Sequence, residues 1–298
     1  MWQTGNVLFT FDLLFSQPFP VLLMSNPHLT ARQVADYQRD GYVIARRFFN
    51  SDEINRLYEV ATTDSALNQH AYGVVDQSGR QSKLALWFTP GDDIYGRLTR
   101  SRRMVESVAL LLDSSAPVCH FHSKLMMKEP RVGGAWEWHQ DYGYWYKNQF
   151  LFPDQMLSVL VALNAATVEN GCLQVIKGSH KLGRVEHGFA GEQVGADATM
   201  VENALKTMDL VYVELEPGDT LFFHSNLLHR SDANLSDQPR WTFISAYNAQ
   251  SNVPYNEKST SCITPVVVLP DEALLEGEAA GTGVGTDFLN KEMDVTLK

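Results

Sequence analysis

The sequence predicts a mainly β protein with flanking α-helices, folded as a double-stranded β-helix (a jelly roll, cupin-like). Two observations carry this prediction. From residue 118 onward the chain breaks into short apolar segments of strand length, at 118–127, 136–142, 157–163, 172–176, 211–215, 220–224 and 240–247, with turn formers between them. Short strands spaced by turns are the pattern of an all-β domain built from two sheets. Before residue 118 the apolar spacing is helical and the segment ends carry capping residues. The 298 residues, 44% hydrophobic and 20% charged, suffice for one sizeable core or two small ones.

Taken in order, residues 1–24 are apolar and aromatic, with Asp12 their only charge. A secretory signal needs a basic start and a small-residue cleavage site, and neither is evident. Pro18, Pro20 and the short length argue against a membrane-spanning helix. The segment reads as an extension outside the fold, with Met24 as the functional start; an edge strand or a partner-binding segment is the alternative. Thr30 with Gln33 makes a capping box that opens a helix ending at Gly41. Tyr42-Val43-Ile44 reads as a strand. A second helix starts after Asn50 or Ser51, has Glu53 in its first turn and runs to about Asp64. Residues 66–82 are polar and read as a loop. Residues 102–113 are helical, with Met104, Val105, Val108, Leu111 and Leu112 on one apolar face. Residues 183–209 form a long insertion, a natural lid or substrate loop. Residues 271–298 are acidic and Gly-rich, the composition of a poorly ordered tail. A single domain over 25–270 is the expectation.

The residues that carry chemistry are widely split. His139 and Asp141 lie in Trp-His-Gln-Asp-Tyr, and His229 lies in Leu-Leu-His-Arg-Ser. Two histidines and one carboxylate with other positions left open are the ligand set of a non-haem Fe(II) oxygenase, although the same donors suit zinc. On a strand the period of two puts His139 and Asp141 on one face. The third ligand then comes from another strand. Ser231 follows His229 by two residues and Arg240 follows it by eleven, across a stretch dense in turn formers. A turn there folds the strand 240–247 back and brings Arg240 near His229. A guanidinium beside an open metal site suits a dicarboxylate, whose oxygens its planar fork grips in pairs.

These residues are joined by the run Glu169-Asn170-Gly171-Cys172-Leu173 through Gly178-Ser179-His180, and by Gly218-Asp219 before an apolar strand. With them the chain resembles the phytanoyl-CoA dioxygenase family of Fe(II)/2-oxoglutarate oxygenases, which includes ectoine-hydroxylase-like members. The resemblance spans residues 29–255; one departure is Lys177, where many members carry Pro. It implies Fe(II) held by His139, Asp141 and His229, O2, and 2-oxoglutarate as co-substrate with its distal carboxylate on Arg240 and Ser231. It also implies hydroxylation of a substrate C–H bond, with release of succinate and carbon dioxide. Related halogenases lack the carboxylate ligand, so Asp141 favours hydroxylation. Ser158, nineteen residues after His139, matches a co-substrate serine of ectoine-hydroxylase-like members. Lys83, before Leu-Ala-Leu-Trp, resembles a family lysine near the co-substrate.

Other candidates rest on pattern alone. On the predicted strand 118–127, His120, His122, Lys124 and Met126 share a face. If that face looks inward, His122 or His120 reaches the co-substrate; the alternative is a structural histidine. Trp136, Trp138, Tyr142, Tyr144, Trp145 and Tyr146 crowd the ligand motif, and Trp145 and Tyr146, just past the strand, are the pocket candidates. Asn248 and Gln250 extend the face of Arg240 and offer polar substrate contacts. His180 and His224 read as structural. Net charge is −11, which disfavours nucleic acid and anionic membranes as partners. Cys119, Cys172 and Cys262 are few and unclustered, as expected of a reducing, cytoplasmic compartment. The expected substrate is a small molecule. An acyl-CoA or carrier-bound acyl group, and a non-oxidative zinc-binding jelly roll, are the alternatives. Acyl-CoA needs cationic contacts for its phosphates, which the acidic balance disfavours.

Overall fold

The computed structural model describes residues 28–148, 150–190, 192–255, 261–277, 281–282 and 287–289; the expectations for residues 1–24 lie outside these. The elements run α1 (Ala31–Asp40), β1 (Tyr42–Ala45), α2 (Ser51–Thr63), α3 (Ser65–His70), β2 (Tyr72–Val75), β3 (Gln81–Trp87), α4 (Ile94–Thr99), α5 (Arg102–Leu112) and β4 (Val118–Lys128). They continue with β5 (Trp136–His139), α6 (Asp141–Trp145), β6 (Met156–Ala162), β7 (Leu173–Ile176), β8 (His187–Ala190), β9 (Gln193–Ala196), α7 (Ala198–Thr207), β10 (Leu210–Val213), β11 (Thr220–His224), β12 (His229–Ser231) and β13 (Arg240–Ala249).

A seven-stranded antiparallel sheet in the order β1-β11-β6-β13-β4-β3-β2 faces a four-stranded sheet in the order β10-β7-β12-β5. This is the jelly roll that the strand spacing predicts. Every residue of β6, β11 and β13 is buried, because both faces of the large sheet are covered. Its outer face, through Ala85, Trp87, Leu125, Met127, Val159, Val161 and Phe243, packs on residues of α1, α2, α4 and α5 such as Tyr37, Ile54, Leu57, Leu98, Met104 and Val108. Its inner face, through Leu84, Met126, Leu160, Ala162, Phe223 and Ile244, packs on Leu173, Val175 and Val213 of the small sheet. The helices begin where the caps place them: Thr30 and Gln33 form a reciprocal capping box, as do Asn50 and Glu53. Gly41 ends α1 in the left-handed region, at φ 81°.

Four expectations are corrected. Residues 66–82 are not a loop: they hold most of α3, the edge strand β2 and the start of β3. Asp76 builds the β2–β3 turn by accepting from Ser78 N, Ser78 Oγ and Arg80 N. An edge hairpin with one face toward solvent is polar enough to pass for a loop. The predicted strand 136–142 stops at His139, and Asp141 opens α6. The 183–209 insertion is itself folded, into the β8–β9 hairpin and α7 with its Asp197 cap. Parts of the 271–298 tail are docked on the domain. Leu289 N donates to Leu86 O at 2.8 Å, Phe288 stacks on His70 with 4.3 Å between centroids, and Thr282 N donates to Asp64 at 2.7 Å. The β2 pairing covers β3 only from Gln81 to Leu84, so the backbone beyond it is open to that segment.

Candidate metal centre

His139 ends β5 and His229 begins β12, and the two are direct cross-strand partners. Their rings are 4.1 Å apart between centroids. Each Nδ1 lies on the carbonyl two residues back, His139 on Glu137 O at 2.7 Å and His229 on Leu227 O at 2.9 Å. A carbonyl only accepts, so Nδ1 carries the hydrogen and Nε2 presents its lone pair to the centre. Asp141 reaches the same point from the first turn of α6, with Gln140 extended before it and Tyr142 N–H tied to Ser225 O. Ligand atoms of the three residues lie within 4.8 Å of one another, and all three residues are buried. The charge state suits a cation. Burial opposes ionisation of Asp141, but the Lys124 ammonium, the two imidazoles once protonated in acid, and the Ser158 hydrogen bond outweigh it and hold the carboxyl at about 2. Burial pushes both imidazoles down, and the neighbouring His229 pushes His139 further, so both are neutral at physiological pH. An anion and two neutral nitrogens need shed no proton to bind a metal.

Ser158, expected beside the co-substrate, donates its hydroxyl hydrogen to Asp141 Oδ2 at 2.5 Å. Oδ1 is left toward the histidines, 4.0 Å from His229 Nε2 and 3.9 Å from Lys124 Nζ. Ser158 therefore orients a ligand. Ser158→Ala is expected to weaken Fe(II) binding by about tenfold or more, the usual cost of losing such a partner; competition with a calibrated chelator measures it.

Deeper between the sheets lies a cationic end wall. Arg240 begins β13, is 3% exposed and faces Lys128 in register across β4. Burial lowers its guanidinium only to about 10, so it stays charged, and its Nε has no hydrogen-bond partner. Thr242 Oγ1, two residues along the same face, and Trp136 Nε1 are likewise buried without partners. Lys128 Nζ donates to Ser231 Oγ at 2.8 Å and to Asp232 O. Burial and Arg240 push its pKa well down. Buried polar groups are normally hydrogen-bonded, and here Arg240, Thr242 and Trp136 cluster without partners. Lys128 was not singled out in the sequence, although it continues the alternation of His122, Lys124 and Met126 by one more step.

The remaining candidates divide. His122 is buried at the centre's edge, 5.6 Å between ring centroids from Trp145, and burial, then Lys124, drives its pKa well down. Trp145 is buried against Phe121 and His122, and Tyr146 is half-buried beneath the Arg184 guanidinium at 3.9 Å. His120 does not share the face of His122. A register shift opposite Ala246/Tyr247 turns it to the helix side, onto Phe88 O, Ser123 Oγ and the Tyr247 ring. Lys83 is exposed on the face of β3 that also carries Ala85 and Trp87, away from the space between the sheets. Strand alternation removes it from the co-substrate. Asn248 is not available to substrate either: its Nδ2 donates to Asn252 O and Cys262 O, and its Oδ1 accepts from Asn252. Gln250 bonds Ile263 O. His224 bonds Asp154 and Asn226 N, and His180 bonds Gln38 O.

Comparison with known proteins shows the family and the fold. The family profile described as phytanoyl-CoA dioxygenase matches residues 37–242. An ectoine dioxygenase of Sphingopyxis alaskensis is 26% identical over 244 residues, 75% of this chain and 77% of the relative. An L-proline trans-4-hydroxylase of Streptomyces griseoviridis is 26% identical over 247 residues, 78% of this chain and 90% of the relative. The crystal structure of EctD from S. alaskensis with bound Fe superposes with a TM-score of 0.65 at 24% identity, covering 83% of this chain and 89% of that one. Among the described residues no helix is long and apolar enough to cross a membrane.

Proposed function

Because the chain belongs to the phytanoyl-CoA dioxygenase family of Fe(II)- and 2-oxoglutarate-dependent enzymes, we propose that it hydroxylates an aliphatic C–H bond of a small molecule, with succinate and carbon dioxide as co-products. The observation that carries this reading is the buried Arg240 with its unpartnered Nε, set between the sheets that hold an open three-ligand centre. A zinc hydrolase has no need of a dicarboxylate clamp, whereas a dicarboxylate co-substrate suits a buried guanidinium. The donor set fits the iron: His139 and His229 offer Nε2 and Asp141 offers Oδ1. When bound, the iron with 2-oxoglutarate and O2 supplies the oxidising chemistry, and the protein supplies binding, orientation and exclusion of water.

Arg240 grips the distal carboxylate. Ser231, whose oxygen already accepts from Lys128, has its own hydrogen left to donate to the same group. Ser158 holds Asp141. His122 and Trp145, packed ring on ring, and Tyr146, beneath Arg184, form the aromatic wall on the substrate side in this reading. Relatives named for ectoine and L-proline support a small substrate of that kind. Three cysteines that are buried and free support a cytoplasmic location.

Anaerobic visible spectroscopy tests the reading. Apo-protein given Fe(II) and then 2-oxoglutarate is expected to develop a charge-transfer band that requires both additions. Succinate release then screens candidate substrates. Tight metal binding with no band would return the protein to the non-oxidative metal-binding class.

A further inference from the structure

Gln140 lies between two of the metal ligands, is fully buried and makes no use of solvent. Its Nε2 donates to Gly183 O at 2.8 Å and to Asn226 O at 2.7 Å, and its Oε1 accepts from Val185 N at 2.7 Å. Both amide hydrogens and the amide oxygen are thereby used. Its backbone N–H donates to His187 Nε2 at 2.9 Å. His187 in turn rests Nδ1 on Val185 O at 2.7 Å, which assigns the ring hydrogen to Nδ1 and leaves Nε2 as the acceptor. Gly143 makes room for this ring: a Cβ there would sit 2.2 Å from His187 Nε2. Asn226 is three residues before His229 and is itself tied to His224 Nδ1 at 3.0 Å. The side chain and backbone N–H of Gln140 therefore join the backbone that carries all three ligands to the single segment 183–187.

The centre has a physical need for such a tie. His139 and His229 are held by the β5–β12 ladder, but Asp141 is past the end of β5 and gains nothing from it. A buried carboxamide is costly unless satisfied, and a fully satisfied one specifies a single geometry. We infer that Gln140 and His187 are positioning residues that make segment 183–187 a strap across the β5–α6 junction, setting the separation of Asp141 from the two imidazoles before the metal arrives. The inference rests on reading the trio as an iron centre. It makes the first part of the insertion a fixed support of the site, with Arg184 of the strap held over Tyr146.

The test compares Gln140→Ala, His187→Phe and His187→Gln with the unaltered full-length protein. It uses Fe(II) affinity by chelator competition, the position of the Fe(II)/2-oxoglutarate band, and hydrogen exchange at the Val185 amide in apo-protein. Gln140→Ala is expected to weaken Fe(II) binding roughly 10–100-fold, to move the band and to speed Val185 exchange. His187→Gln retains an acceptor for Gln140 N–H and is expected to recover most of the affinity that His187→Phe loses. Any truncation of a buried residue lowers the melting temperature, so melting is not the criterion. Should Gln140→Ala fail to fold, the His187 pair, one variant with an acceptor for Gln140 N–H and one without, still decides through Val185 exchange and Fe(II) affinity. A normal band in the unaltered protein together with unchanged affinity in Gln140→Ala, or with equal affinities in the two His187 variants, overturns the strap alone. No band in the unaltered protein overturns the iron reading and the strap with it.

Discussion

Arg240→Met will raise the concentration of 2-oxoglutarate needed for half-saturation by about two orders of magnitude while leaving Fe(II) affinity within a few-fold of the unaltered protein. The guanidinium is buried opposite Lys128, and its Nε has no partner. In the ligand-free protein it is a cost, because burial acts against its charged form. A dicarboxylate supplies the missing counter-charge, so the interaction is concentrated in the complex. Truncating one partner of a buried charged pair costs about 2–5 kcal/mol, and the lower part of that range corresponds to the loss expected here. The same argument makes a second, less obvious result: the ligand-free Arg240→Met protein will be as stable as the unaltered one or more so, since methionine fills the volume without a charge to desolvate. Titration of the charge-transfer band with 2-oxoglutarate and a thermal melt of each apo-protein measure the two halves. An unchanged half-saturation point would remove Arg240 from the co-substrate.

His139→Ala will abolish measurable Fe(II) loading, and with it the band and all succinate release. Its effect differs in kind from that of Arg240→Met, because no co-substrate concentration rescues it. His139 is held on both sides: Nδ1 is fixed by Glu137 O and its backbone by the pairing with His229. No neighbouring side chain can replace its Nε2. Among the described residues His122 lies against Trp145, His187 is tied to Gln140 N–H and Val185 O, and no other group of three or more potential ligands occurs. The structural cost is small, since β5 keeps its ladder with β12. Circular dichroism of the apo-variant should therefore match the unaltered protein while metal analysis finds no iron. Stoichiometric iron in His139→Ala would refute the assignment of the trio.

The sequence was most legible where chemistry restricts residue type. His139, Asp141, His229 and Arg240 stood out because few functions place two histidines, a carboxylate and a distant arginine in that order. The helix starts at Thr30 and Asn50 were legible because capping is a local interaction between residues three apart. Legibility failed where a side chain's direction depends on distant pairing. Period-two reasoning placed Asp141 on a strand that ends two residues earlier, and the shared position near the metal comes from the first turn of α6 instead. The same reasoning gave His120 and His122 one face, but the register shift against Tyr247 separates them. Lys83 and Asn248 have plausible residue types, yet one points out of the barrel and the other is consumed by the loop that it anchors. Lys128, one residue past the predicted strand 118–127, was not a candidate, and the fold buries it opposite Arg240.

By itself, then, the sequence predicted the class of chemistry and the jelly-roll architecture, and picked out the candidate metal ligands and candidate co-substrate arginine. The architecture and the candidate residues follow from residue type, spacing and hydrophobic period, and the chemistry from the family resemblance those residues carry, all of them properties of the chain alone. Only the tertiary structure decided which hydroxyl orients Asp141, which lysine joins the cationic wall, which candidates point away, and that Gln140 binds the insertion to the centre. Those depend on strand register, on a bulge and on segments dozens of residues apart meeting in a dry interior, where an unpaired polar group is too costly to leave to chance.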